Sequence, residues 1–276
     1  MKKKKIYNLI LILVSIALSV LFLLPLIWMV LTSFKTLSES MSSTRLLPQI
    51  WTLENYKSIF FSASEAPIIK WLINTAMVTM LGTILTIAVD ILAAYALARL
   101  NVPLKKIFLT IIIVAMAVPG IVTLFPSYYL FKSVKLLNTY IPLTLPYTAN
   151  VLGVYLIYNF LVSFPRELEE AASIDGASHV DTLTKVIFPS IKPVVMTLGI
   201  ITFLSIYNDY LWPSLVVSNN EMKTVTTGLA GLIQGANFVN PAKMMASTVV
   251  AVFPAVIVFL MVNKYIVRGV NYSGIK

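Results

Sequence analysis

From Ile6 to Leu31 the chain carries no charged side chain, and four consecutive lysines, Lys2 to Lys5, stand immediately before this run. A helix needs about 20 apolar residues to cross the hydrocarbon of a bilayer. The run exceeds that length and is about twice the apolar core of a cleaved signal peptide. Thr32, Ser33 and Lys35 follow it, so it reads as an uncleaved span. In lipid every backbone polar group must find an internal partner, which restricts such a segment to a helix.

Five more segments follow the same logic, giving spans at roughly 6–32, 71–98, 107–131, 139–162, 193–216 and 244–264. The expected fold is all-α: a polytopic membrane helical bundle of about six transmembrane helices, forming one membrane domain over 1–276. Charged residues make up 12% of the chain and hydrophobic residues 58%, whereas soluble domains carry about 25% charged residues. Pro142 and Pro146 predict a bend near the start of the fourth segment. Pro119-Gly120 and Pro126 permit a kink or local unwinding in the third. With no cysteine and one histidine, His179, disulfides, thiolate chemistry and a multi-histidine metal site are excluded. The net charge of +10 resides mostly in short loops, which fits membrane topology and not nucleic-acid binding.

Lysine and arginine concentrate on the cytoplasmic side of membrane proteins. Lys2 to Lys5, Arg99, Lys105, Lys106, Arg166, Lys185, Lys192, Lys264, Arg268 and Lys276 outweigh Lys35, Arg45, Lys57, Lys70, Lys132, Lys135, Lys223 and Lys243. Both termini are therefore expected in the cytoplasm. The loops at about 34–70 and 217–243 then face out, and the loop at 163–192 faces in. No second soluble domain, low-complexity linker or internal repeat is evident.

The 163–192 loop is amphipathic and clearly punctuated. Glu167, Glu169 and Glu170 fall in a first helical turn, where the helix dipole favours negative charge. Asp175-Gly176 should break that helix, and a second is expected from about Ala177 and Ser178 to Pro189. Ala171, Ala172 and Ala177 are small enough for another surface to approach closely. These residues support a helix–turn–helix with a dockable face and equally a solvated connection.

At this loop the chain resembles a known family. EAA at 170–172, Gly176 four positions after Ala172, and VIFP at 186–189 match E-A-A, three residues, G, nine residues, I-x-L-P. That pattern marks the permease subunits of binding-protein-dependent ATP-binding-cassette importers. Val186 and Phe188 stand where Ile and Leu are usual. SFK at 33–35, LENY at 53–56, WLINT at 71–75, LLNTY at 136–140, PRELEEAASIDGA at 165–177 and YIVRGVNYSGIK at 265–276 resemble the carbohydrate branch, on the side of the smaller maltose permease subunit. Tyr207 departs from it, since many relatives have Trp there.

The resemblance implies that the loop is a coupling helix docking in a cleft of a separate ATPase. Glu170, Ala171, Ala172, Asp175, Gly176, Ala177 and Pro189 are the expected coupling residues, although plain helix propensity also explains each alanine. Gly269, Gly274 and Lys276 belong to a tail that resembles one reaching the ATPase interface. The implied partners are a second homologous permease, two ATPase subunits, an extracytoplasmic sugar-binding protein and membrane lipid, with no nucleic acid. The outer loop with Gly228, Gly231 and Gly235 would face the binding protein. The chain lacks the glycine-rich G-x-x-x-x-G-K-[ST] loop that cradles phosphates. No cofactor is expected in it, and ATP with Mg2+ would be bound by the ATPases. The expected location is the bacterial cytoplasmic membrane.

Sugar pathways combine aromatic faces with amide and hydroxyl groups. Tyr128, Tyr129, Tyr147, Asn150, Tyr155, Asn208, Asp209 and Trp212 are candidates, with Asn208, Asp209 and Trp212 expected to cluster within one span. Tyrosine and tryptophan also collect at membrane interfaces for structural reasons. Asp90 sits inside the second apolar run, where an ionisable group is a functional candidate by default; a helix-interface carboxylate near Arg99 is the competing expectation. An ion-coupled secondary transporter using Asp90 and Asp209 is the alternative function, though such folds usually show internal repeats. Paired catalytic carboxylates, a nucleophile–base motif and a metal cluster are all missing, so no enzyme activity is expected.

Overall fold

The structure is a computed structural model describing residues 2–42, 44–61, 67–234 and 240–273. All regular elements among the described residues are helical. In order they are α1 (Lys2–Ser33), α2 (Leu37–Ser42), α3 (Glu54–Phe61), α4 (Ile68–Arg99), α5 (Lys105–Met116), α6 (Gly120–Ser133) and α7 (Tyr140–Thr144). Then come α8 (Val151–Ser163), α9 (Glu167–Ile174), α10 (His179–Asp181), α11 (Phe188–Asn208), α12 (Leu211–Val216), α13 (Val225–Gln234) and α14 (Pro241–Ser273). Five helical stretches are long and apolar enough to span a membrane: Ile6–Ser33, Ile68–Arg99, Tyr140–Ser163, His179–Asn208 and Pro241–Met261. The pair α5 and α6 makes a sixth if counted as one broken span. The protein is therefore a multi-pass membrane protein.

The described chain divides into two compact units: Met1–Lys70 with Gly228–Pro254, and Trp71–Thr227 with Ala255–Lys276. In the first unit, α1 exposes its apolar side chains on every face from Ile6 to Trp28. A helix that is apolar all round belongs in lipid or against another protein. Beyond α1, the SFK and LENY segments lock together. The Asn55 amide donates to the carbonyls of Ser33 and Lys35, and Tyr56 Oη lies 2.6 Å from Ser33 Oγ. The Lys35 ammonium is buried and donates to the Arg45 carbonyl.

In the second unit the core is a three-helix seam. α4 contributes Ile91, Ala94, Tyr95 and Ala98; α8 contributes Val154, Ile157 and Leu161; Ile187, Ile191, Val195 and Leu198 come from the α11 side. The steps of three and four residues place each set on one helical face. Ala94 and Ala98 let the backbones approach closely, as small residues do between membrane helices. A second cluster joins Val78, Phe131, Leu143, Ile206, Trp212 and Val216.

The break permitted within 107–131 is present: α5 and α6 meet at 104°. Pro119 is extended there (φ −61°, ψ 129°); it has no N–H to continue α5 and instead starts α6. Two expectations need correction. First, the span expected at 193–216 begins earlier and ends sooner. Helical backbone runs from His179 through a π-helical stretch, Thr182–Ile187, into α11, and stops at Asn208. Second, Pro189 does not end the second loop helix. It lies at the start of α11, directly after the widened π turn, where a missing donor is tolerated. Where Pro142 and Pro146 stand, the helix is interrupted: the short α7 passes into a 3-10 turn at Leu145–Thr148 before α8 begins.

Candidate functional site

The 163–192 loop is built around the end of α9. Gly176 has φ +81°, a left-handed conformation that only glycine adopts without strain. The Ala177 N–H donates to Ala172 O, and the Gly176 N–H donates to Ser173 O. These two bonds form the Schellman closure that satisfies the last carbonyls of a helix. Ser178 then begins the next helical run through a reciprocal capping box with Asp181. The break at Asp175-Gly176 is thus a fixed reversal, hydrogen-bonded on both sides.

The loop's surface is open. α9 buries none of its residues. Glu170, Ala171, Asp175 and Gly176 are exposed, and Ala172 and Ala177 are half-buried. Ile174 is 87% exposed, with Leu168 and Val180 also exposed. Apolar side chains held out on a rigid turn are suited to a groove on another protein. Pro189 lies apart from this turn, inside the helical run toward α11. Gly269 falls within α14; Gly274 and Lys276 lie outside the described residues.

The solute-pathway candidates divide. Asn208 closes α11, is exposed, and gives its amide to Leu204 O. Asp209 sits in the break after α11 with extended backbone (φ −67°, ψ 126°). Its carboxylate accepts from Tyr147 Oη at 2.7 Å and from the Trp212 backbone N–H, which starts α12. Trp212 is buried and donates Nε1–H to Pro142 O. Asn208, Asp209 and Trp212 therefore do not share one span: the chain breaks between them. Asn150 is elsewhere, capping α8 through Oδ1 and giving its amide to Asp90 Oδ2 at 3.0 Å.

Asp90 is fully buried, and its partner is Asn150; Arg99, expected beside it, is engaged with Glu169. Gly153 lies so close that a Cβ there would fall 1.8 Å from Asp90 Oδ2. Asp209 and Asp90 are thus pins at two helix breaks. Replacing Tyr147 with Phe should cost about 2 kcal/mol, since hydrogen bonds to charged groups are worth about 1.5–3 kcal/mol. Thermal unfolding in detergent, run as a double-mutant cycle with Asp209→Asn, checks the value; additive effects would show that the pair carries no coupling.

Several residues went unremarked singly in the sequence. Asn74 donates to the Glu221 and Lys223 carbonyls while accepting from Tyr140 Oη. Trp71 Nε1 donates to Asn220 O, and Thr75 Oγ1 accepts from the Val225 N–H. Asn138, itself at φ 58°, accepts from the Ser218 and Asn219 N–H groups. The WLINT and LLNTY segments therefore hold residues 216–225 in place. Among the described residues, no group of three or more His, Cys, Asp or Glu could hold a metal ion.

A family model described as "Binding-protein-dependent transport system inner membrane component" matches residues 86–272. The sulfoquinovosyl glycerol transport system permease protein SmoH of Agrobacterium fabrum is 36% identical over 258 residues, 92% of this chain and 89% of that protein. The sn-glycerol-3-phosphate transport system permease protein UgpE of Shigella flexneri is 31% identical over 228 residues, 81% of each chain. A chain from the crystal structure of a bacterial ABC transporter involved in the import of the acidic polysaccharide alginate superposes with a TM-score of 0.86. That likeness covers 96% of this chain and 98% of the other at 21% identity, and so concerns the fold.

Proposed function

This chain belongs to the family of binding-protein-dependent transport system inner membrane components, and from that membership we propose that it is the permease subunit of an ATP-driven sugar or oligosaccharide importer. It forms half of the translocation pathway. The 163–192 loop lies in the cytoplasm with both termini and docks on a separate ATPase. The observation that carries this reading is the Schellman-closed turn at Gly176, which presents Ile174 and the EAA residues to solvent. Coupling requires an element that transmits a difference in binding free energy between two states. A short helix with a fixed exit and an open face fits that requirement.

The sugar assignment is supported by the relatives' solutes: sulfoquinovosyl glycerol and glycerol-3-phosphate are both hydroxyl-rich, and the fold neighbour imports a polysaccharide. In this reading a second homologous permease supplies the other half of the pathway. Two ATPase subunits bind ATP and Mg2+, an extracytoplasmic binding protein delivers the solute, and the chain itself catalyses no reaction. The outer loops 34–70 and 217–243 face the binding protein. The test is reconstitution with the co-encoded permease, ATPases and binding protein in proteoliposomes. Solute uptake should require internal-facing Mg-ATP and persist without an ion gradient. Uptake that followed a proton or sodium gradient and ignored ATP would overturn the proposal.

A further inference from the structure

We propose that Arg99 is the positioning residue that ties the coupling helix α9 to the membrane span α4, so that the two move as one body. The proposal rests on the coupling reading above and names the joint through which it would work. Arg99 is the last residue of α4. Its Nε donates to Glu169 Oε1 at 2.5 Å, and its Nη2 donates to Phe164 O at 3.1 Å. One guanidinium thus holds the end of α4, the carbonyl that closes α8, and the first turn of α9.

The burial pattern makes this joint unusual within the loop. The Arg99 and Glu169 side chains are only 6% and 13% exposed, yet α9 buries no residue outright. No side chain of α9 is fully enclosed by apolar packing, and a cleft of about 480 Å3 opens beside it, lined by Tyr95, Arg99, Glu169, Glu170 and His179. Ile187 and Ile191, later in the loop, pack on α4, and Tyr95 Oη lies a long 3.5 Å from the His179 carbonyl. The Arg99 fork is the charged joint that runs directly from α4 to α9. Arginine suits the task because its planar guanidinium holds two acceptors in fixed directions, which a lysine ammonium does not. The pair also sits at the C-terminal end of α4, where a cation complements the helix dipole.

The test uses the absence of native cysteine in the chain. Spin labels on cysteines replacing Met80, exposed on α4, and Glu167, exposed on α9, are about 30 Å apart along the helix by its rise per residue. The labelled full chain is assembled in nanodiscs with cysteine-free partner subunits, and distances are measured before and after trapping with Mg-ATP and orthovanadate. In the parent the Met80–Glu167 distance should stay narrow and unchanged on trapping. With Arg99→Gln, and with Arg99→Lys, it should shift and broaden on trapping while ATP hydrolysis continues. The exchanged pair Arg99→Glu with Glu169→Arg should restore the narrow distribution. An Arg99→Gln distance identical to the parent's in both states overturns the proposal, as does a broadening already complete before ATP is added. The coupling reading has its own control: a label at Glu167 paired with one on the corresponding loop of the second permease must change distance on trapping in the parent. If that control is silent, the coupling reading fails; if it responds and Arg99→Gln has no effect, only the joint assigned to Arg99 fails.

Discussion

Replacing Gly176 with proline should abolish ATP-driven uptake while leaving membrane insertion intact. Proline fixes φ near −65° and has no N–H, whereas Gly176 holds φ +81° and donates to Ser173 O. The Schellman closure cannot form, and the reversal that aims α9 is lost. Gly176→Ala is the graded control. Nothing lies within 4 Å of the position a Cβ would take, so its cost is the left-handed backbone alone, about 1–2 kcal/mol, and uptake should fall without vanishing. Glu170→Lys separates docking from folding. Reversing one exposed charge in a first helical turn costs at most about 1 kcal/mol, too little to unfold α9. If Glu170→Lys nevertheless stops uptake with expression unchanged, the charge acts on a partner. Normal uptake by both Gly176→Pro and Glu170→Lys would remove the coupling role from this loop.

The second large effect is expected at Gly153. An alanine there would place its methyl group 1.8 Å from Asp90 Oδ2 and 2.6 Å from the Asn150 amide nitrogen. Neither neighbour is a free chain end: Asp90 is fully buried, and Asn150 caps α8. Gly153→Ala should therefore destabilise the protein by roughly 3 kcal/mol, at the upper range for overpacking. It would be seen as lower thermal stability in detergent and reduced membrane yield. Adding Asp90→Ala should restore most of the loss by removing the obstructing carboxylate. If Gly153→Ala alone unfolds like the parent, α4 and α8 are not held at this close approach.

The first two spans were legible in the sequence because their apolar runs are unbroken, and the structure places them at Ile6–Ser33 and Ile68–Arg99. The span expected at 193–216 was misplaced for a physical reason. Thr182, Thr184, Lys185, Ser190 and Lys192 lower the local hydropathy, but helical backbone bonds do not depend on side-chain polarity. The helix therefore continues through them, and Pro189 is absorbed beside a π turn. Gly176 was readable because a glycine after an acidic, alanine-rich turn has few other uses. Asn74 and Asn138 were not: each acts through one side-chain amide aimed at distant backbone groups, and one amide leaves no periodic trace. Arg99 and Glu169 stand 70 positions apart in sequence, with nothing local to pair them.

The interruptions at Ala117–Pro119 and Leu145–Asn150, inside apolar segments, and at Asp209–Tyr210, directly after a span, leave stretches of main chain that are not α-helical. Hydrocarbon tolerates such exposed amides and carbonyls only where protein or water receives them. Any of these joints that lies at bilayer depth must therefore keep packed protein or water beside it, a constraint that the unbroken helices on either side escape.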